Sequence, residues 1–141
     1  MNDGPLSREE IARRVPHQGE MCLLEQVLEW DAMRIVCRVT SHRDARHPLR
    51  EDGKLGALCA VEYAAQAMAL HGNLLRHTGR PGLLAAVHDV MVSVQRLDDI
   101  PGALTVRAEK LIAQHKHALY QFALVSEERE LVHGRAAVVF L

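Results

Sequence analysis

Glu62 and Gln66 stand four residues apart in the stretch "GALCAVEYAAQAMALHG", where nearly every other residue is small or apolar. On a helix that spacing puts both side chains on one face. The sequence predicts a buried carboxylate there. Burying an ionised carboxylate without a partner costs several kcal/mol, so the group must pair or hold a proton. A protonated carboxyl beside a pocket is a general acid. The structural alternative is a hydrogen bond to a loop backbone, or an ion pair with Arg43, Arg46 or Arg50. His47 precedes Pro48 in the loop that feeds the same stretch. A neutral imidazole is the side chain best suited to taking a proton near pH 7. Its alternative is a solvated loop histidine, one of nine in the chain. Gly56 lies near the start of the helix, where its structural alternative is an ordinary loop-to-helix glycine. Backbone N–H groups there point along the positive end of the helix dipole and can polarise a carbonyl.

The other candidate groups read as structural. His42 with His47, or His115 with His117, could be written as metal pairs, but a site needs three or four converging ligands. No metal or cofactor is expected. Cys59 lies one turn before Glu62; without a base and a positive environment it is a core thiol. His71 and His77 fall near the helix end, where a positive charge meets the negative dipole.

The elements that must position these groups follow from pattern. Ser7 caps a short helix over "REEIARRV", with Glu9 and Glu10 in its first turn and Pro16 as its stop. "MCLLEQVLEW" fits strand or helix. "RIVCRVT" alternates Ile35, Cys37 and Val39 with wetter positions and is a strand. "LGALCAVEYAAQAMALHGNLLRHTG" is one long helix, closed by Gly79 and Pro81 and apolar on almost every face. The remaining chain reads as three or four strands. Val90, Val92 and Val94 mark one; Leu104, Val106 and Ala108 the next; Tyr120, Phe122 and Leu124 a third. "SEERE" is a hairpin turn before "LVHGRAAVVFL". This is an α+β antiparallel sheet packed on one helix. Alanines at 57, 60, 64, 65, 67 and 69 let that helix lie close to a curling sheet. One helix cannot cover both sheet faces, so a dimer is expected.

The whole chain sets further bounds. Its 141 residues fit one domain, 1–141, and 48% hydrophobic content supplies a core. With 17 basic and 18 acidic residues, no net field recruits nucleic acid or anionic membrane. Aromatic content of 4% leaves few platforms for base stacking. Cys22, Cys37 and Cys59 form an odd set with no C-x-x-C, which points to a reducing cytoplasm. "MNDGPLSREE" carries no apolar signal-peptide core, and the longest apolar run is broken by Glu62, Tyr63 and Gln66, so no membrane span is expected.

These segments resemble the hotdog-fold 3-hydroxyacyl-acyl-carrier-protein dehydratases. "IARRVPHQGEMCLLEQVLEWD" is similar to that family's opening helix, "PHR-P-LL-DRVL" motif and first strand. "GALCAVEYAAQAMALHG" is similar to its central "G-L-x-x-E-x-x-AQ" helix, and "DIPGALTVRAEK" to its "PGD" turn and strand. The order and spacing span nearly the whole chain. The resemblance implies a hotdog fold, a sheet of five to six strands round one helix. It implies dehydration of 3-hydroxyacyl thioesters on acyl carrier protein to trans-2-enoyl thioesters, in fatty-acid or polyene biosynthesis. By residue, Glu62 matches the catalytic carboxylate and Gln66 the glutamine that holds it. His47 is the counterpart of the catalytic histidine, fifteen positions ahead of Glu62 where the family has fourteen, on a loop of different sequence. His17 matches the structural "PHR" histidine. Gly56 and Ala57 would supply the oxyanion N–H groups. In the family, histidine and carboxylate meet across a dimer interface, and acyl carrier protein docks on basic side chains, here Arg43, Arg46, Arg50 and Arg96. The form "VEYAAQAMALHG" most resembles a divergent branch found with aryl-polyene and xanthomonadin-type pigment clusters, some of whose members pair with a second dehydratase-like subunit. The partner is then a second copy or another hotdog subunit, with higher oligomers open. Two rivals stand beside this reading: a hotdog thioesterase, whose helix carboxylate serves hydrolysis, and a non-catalytic partner of an active dehydratase.

Overall fold

The structure is a computed structural model and describes residues 5–15, 19–76 and 82–140. Among these, helix α1 (Arg8–Ala12) opens the chain. Ser7 caps it in a reciprocal box: its hydroxyl accepts Glu10 N–H and Glu10 returns a carboxylate to the Ser7 backbone. Strands β1 (Gln26–Trp30) and β2 (Arg34–Val39) form an antiparallel pair. The ambiguous "MCLLEQVLEW" is thus extended at its C-terminal half. Helix α2 (Ala60–Arg76) follows a 3₁₀ turn at Ala57–Cys59, so it starts five residues later than the expected Leu55. Then come β3 (Gly82–Val92), β4 (Leu104–Ala113), β5 (His117–Ser126) and β6 (Arg129–Phe140). The expected marks at Pro16, His17, His77, Gly79 and Pro81 lie outside the described residues.

All six strands join one sheet in the order β1-β2-β4-β5-β6-β3, with antiparallel neighbours throughout. Period-two burial fixes the register. Ile35, Cys37 and Val39 on β2, Leu104, Val106 and Ala108 on β4, and Ala118, Tyr120, Phe122 and Leu124 on β5 all point at α2. The helix answers with Ala60, Tyr63, Ala64, Ala67, Leu70, His71 and Leu74, a stripe at helical spacing. Three alanines in that stripe let the helix axis approach the sheet. Its other side, with Val61, Glu62, Ala65 and Asn73, is only half-buried. The helix is therefore less enclosed than its composition suggests.

β3 departs from simple alternation. Its pairing with β6 slips between His88 and Met91, and Asp89 takes a positive φ of 52°. Gly134 lies beneath this bulge. A Cβ there would stand 3.2 Å from His88 O, Phe122 Cζ and Val90 Cα, so the crossing of backbones needs a glycine. β3 ends at Val92, and Val94 packs against the core from the following loop.

Candidate active site

Gln66 is fully buried and makes the most of its amide. Its Oε1 accepts Leu23 N–H at 2.9 Å, and its Nε2 donates to Met21 O at 2.7 Å and to Glu62 Oε1 at 3.5 Å. The two backbone bonds pin the segment ahead of β1 to the middle of α2. The third reaches back one turn to the carboxylate, as the i, i+4 spacing predicts. Glu62 itself is half-buried and not buried as expected. It lies on the helix side that the sheet leaves uncovered.

His47 is buried, with 5% of its surface exposed, in contrast to a solvated loop residue. Its Nδ1 accepts Leu49 N–H at 3.1 Å, and its Nε2 lies 3.0 Å from the Tyr63 hydroxyl. A backbone N–H has only a donor to offer, so Nδ1 carries the lone pair and Nε2 the hydrogen. The Tyr63 hydroxyl then donates to Ser41 Oγ at 2.8 Å, and Ser41 donates to Leu23 O at 2.9 Å. Each proton in this relay is used once. The neutral ring suits it: burial first, then the neighbouring Arg50 charge, push the His47 pKa below its usual value. Burial also pushes the Tyr63 phenol up, so it stays protonated. Tyr63 follows Glu62 directly, which turns it about 100° round the helix and into the core. Within one chain His47 is thus joined to Tyr63, and both its nitrogens are engaged.

The start of α2 is tied to a distant loop. Leu97 N–H donates to Leu55 O at 2.8 Å, and Ala57 N–H to Gln95 O at 3.0 Å, around a bridge between Gly56 and Arg96. Asp98 clamps this pairing. Its Oδ1 accepts Leu55 N–H at 2.8 Å and Arg96 Nε–H at 3.0 Å, while Oδ2 takes the Arg96 Nη2. The Arg96 guanidinium holds the Asp98 carboxyl well below the usual carboxylate range. Of the two amides expected to polarise a carbonyl, that of Ala57 is spent on Gln95. Among the described residues, the Gly56 N–H donates to no backbone carbonyl. Gly56 is exposed, and a Cβ there would meet nothing within 4 Å, so the approach is open.

The arginines named for docking are largely occupied. Arg43 donates to Asp98 O, Arg50 to Gly53 O and His42 O, and Arg96 to Asp98. Arg46 stands near Asp44 and, 77% exposed, lines a cleft of about 660 Å³ with Arg8, Ser41, Asp44, His47 and Pro48. A second concavity of about 540 Å³ lies on the far face of the sheet, among Arg34, Arg107, Gln121, His133 and Arg135. Glu62 lines neither.

The remaining candidates are structural. His42 is buried and its Nε2 lies on Ile100 O; burial lowers its pKa. His71 was expected to meet the helix dipole as a cation. It is fully buried between Tyr120 Oη and Asp31 O, each at 2.7 Å, and burial holds it neutral. His115 sits in the turn between β4 and β5, exposed like His117. No cluster of metal-ligating groups occurs among the described residues. Burial pushes the Cys59 thiol up, with Glu51 and Glu62 adding to it, which disfavours a thiolate. Sequence reasoning missed Ser41, Tyr63 and Asp98. Tyr63 carried the one available signal, an aromatic hydroxyl in an otherwise apolar stripe, which must find a partner when buried.

The family described as ApeP-like, ApeP dehydratase, matches residues 9–140. A chain of the dehydratase heterocomplex ApeI:P from Xenorhabdus doucetiae is similar, with a TM-score of 0.83 and 25% identity over 93% of this chain and 90% of that one. Thioesterase HI1161 from Haemophilus influenzae has a TM-score of 0.70 and 16% identity over 96% and 91%. The TT0310 protein from Thermus thermophilus has 0.61 and 20% over 82% and 90%. These last two share the fold. No curated protein sequence matches. Six antiparallel strands round one long helix, shared with these structures, are the hotdog fold.

Proposed function

The chain belongs to the ApeP-like dehydratase family, and from that premise we propose that it serves the elimination of water from a 3-hydroxyacyl thioester carried by acyl carrier protein. A base takes the C2 proton, the C2–H electrons become the C2=C3 double bond, and the C3 hydroxyl leaves as water with a proton from an acid. Glu62 is the group of this chain for the acid step. The observation that carries this role is its place beside buried Gln66, which aims an N–H at Glu62 Oε1. The Gly56 N–H would polarise the thioester carbonyl. Acyl carrier protein, rich in acidic side chains, would approach Arg8 and Arg46 at the cleft mouth. The cytoplasm, where Cys22, Cys37 and Cys59 stay free, is the proposed compartment.

His47 is the sequence candidate for the base, and in this tautomer it serves as one only if Nδ1, which holds the lone pair, gives up the Leu49 N–H. The engaged nitrogens favour a second reading, in which this chain contributes Glu62 and a second hotdog subunit contributes the base. The ApeI:P relative is itself a heterocomplex. β3 is a sheet edge, and Leu83, Val87 and Met91 on it are 48%, 40% and 60% exposed. Such an apolar edge is a place for another strand to add. Among the described residues no helix is long and apolar enough to cross a membrane.

The test offers 3-hydroxyacyl carrier protein to this chain alone, to His47→Ala, and to each with a second dehydratase-like subunit added, and reads the acyl mass. Turnover only with the second subunit, lowered but not abolished by His47→Ala, supports the shared site. Turnover by the chain alone that His47→Ala abolishes returns the base to His47. Loss of the acyl group with no enoyl product is the thioesterase outcome and sinks the dehydratase reading.

A further inference from the structure

Leu23 is gripped by polar groups at both ends of its backbone. Its N–H goes to Gln66 Oε1 and its carbonyl takes the Ser41 hydroxyl. One arm runs from Leu23 through Gln66 to Glu62. The other runs through Ser41 and Tyr63 to His47, and ends on Leu49 N–H. Gln66, His47 and Tyr63 are each at most 5% exposed. Their hydrogen bonds are strong where water does not compete, and breaking the Leu23–Gln66 or the His47–Tyr63 bond leaves a buried polar atom unpaired.

We propose that His47 and Tyr63 are positioning residues for Glu62, acting through Ser41 and the Leu23 backbone on Gln66. The inference rests on the dehydratase reading for its effect on turnover, but the relay stands on its own contacts. Donor counting gives it one direction: Leu49 N–H to Nδ1, Nε2–H to Tyr63, Tyr63 to Ser41, Ser41 to Leu23 O. A ring locked this way is a hydrogen-bond donor in this chain. Its place in the chemistry is to fix the segment that Gln66 reads, and so the rotamer in which Gln66 meets Glu62.

The experiment uses the full chain labelled with ¹⁵N. Long-range spectra should show the His47 hydrogen on Nε2 at pH 7. Ser41→Ala and Tyr63→Phe should both shift the Gln66 side-chain amide signals and speed their hydrogen exchange at least about tenfold. Ser41→Thr, which keeps the hydroxyl, should restore them. Where turnover is measured with the second subunit present, Tyr63→Phe should lower kcat by roughly ten- to hundredfold with KM held. Tyr63→Phe combined with Gln66→Leu should be no worse than Gln66→Leu alone. A hydrogen on Nδ1 overturns the proposal, as do Gln66 signals that ignore Ser41→Ala, or additive losses in the double variant. Absence of enoyl product from the unaltered pair instead sinks the dehydratase reading, and the spectra still judge the relay.

Discussion

Asp98 offers the clearest test of how the site is braced. Its Oδ1 is the acceptor for Leu55 N–H, and both residues are buried. Asp98→Ala leaves that N–H without a partner, a loss of about 1–3 kcal/mol. The Arg96 bonds add less, because Arg96 is 38% exposed and can turn to water. A total near 2–3 kcal/mol follows, and for a chain of this length each kcal/mol moves Tm by roughly 3–4 °C. Asp98→Ala should therefore melt about 6–12 °C below the unaltered chain. Asp98→Asn can keep an acceptor on Leu55 N–H while losing the charge facing Arg96, and should cost about 1 kcal/mol. The pH dependence separates the two effects. The folded carboxyl titrates below its unfolded value of about 3.9, so its contribution is whole above that pH and lost as pH falls through the folded value. Asparagine does not titrate. The gap between the unaltered chain and Asp98→Asn should narrow from pH 5 to pH 3 in melts followed by circular dichroism. Asp98→Ala melting within about 2 °C of the unaltered chain, or a gap that widens on acidification, refutes the clamp.

Three further outcomes rest on other parts of the fold. Gly134→Ala should lower the urea midpoint by an amount equal to about 1–3 kcal/mol, because two of the three atoms it meets are backbone and cannot swing aside. His42, His47 and His71 are buried and held neutral, with folded values below the ordinary one. Their contribution is whole above about pH 6.5 and lost as pH falls through the folded values, so the urea midpoint should drop between pH 7.5 and 5.5; a rise contradicts the assignment. Leu83→Lys with Val87→Lys should abolish association through the β3 edge in sedimentation equilibrium, leaving the circular dichroism spectrum unchanged.

Local pattern carried much of the fold. Ser7 with Glu10, the alternation in β2, β4 and β5, and the alanine-rich stripe of α2 all follow from capping, period two and period 3.6. That Gln66 and Glu62 share one face of α2 followed from i, i+4 spacing. What stayed hidden depends on contacts far apart in sequence. Five residues of β1 are too few to separate strand from helix by period, and pairing with β2 decides it. The bulge at Asp89 needs Gly134, more than forty residues away, to make room. Tyr63 to Ser41 joins the helix to a loop 22 residues away, and Asp98 to Leu55 joins two loops 43 residues apart. His47 was legible as a histidine near the helix, but its partners were not. Two hydrogen bonds, with the Leu49 backbone and the Tyr63 hydroxyl, decide what its nitrogens can do.

In the proposed reaction the carboxylate of Glu62 on α2 supplies the proton that leaves with the C3 hydroxyl. The direct measurement is enoyl formation from 3-hydroxyacyl carrier protein by Glu62→Gln in the presence of the second hotdog subunit, with folding and subunit association checked on the same sample. Gln keeps the shape and a carbonyl oxygen for the Gln66 N–H but gives up the transferable proton. Turnover should fall by about 10²-fold or more, the usual contribution of a positioned acid or base, while association holds. Turnover within about twofold of the unaltered pair would contradict the account, because a group worth 10²-fold cannot be lost without trace.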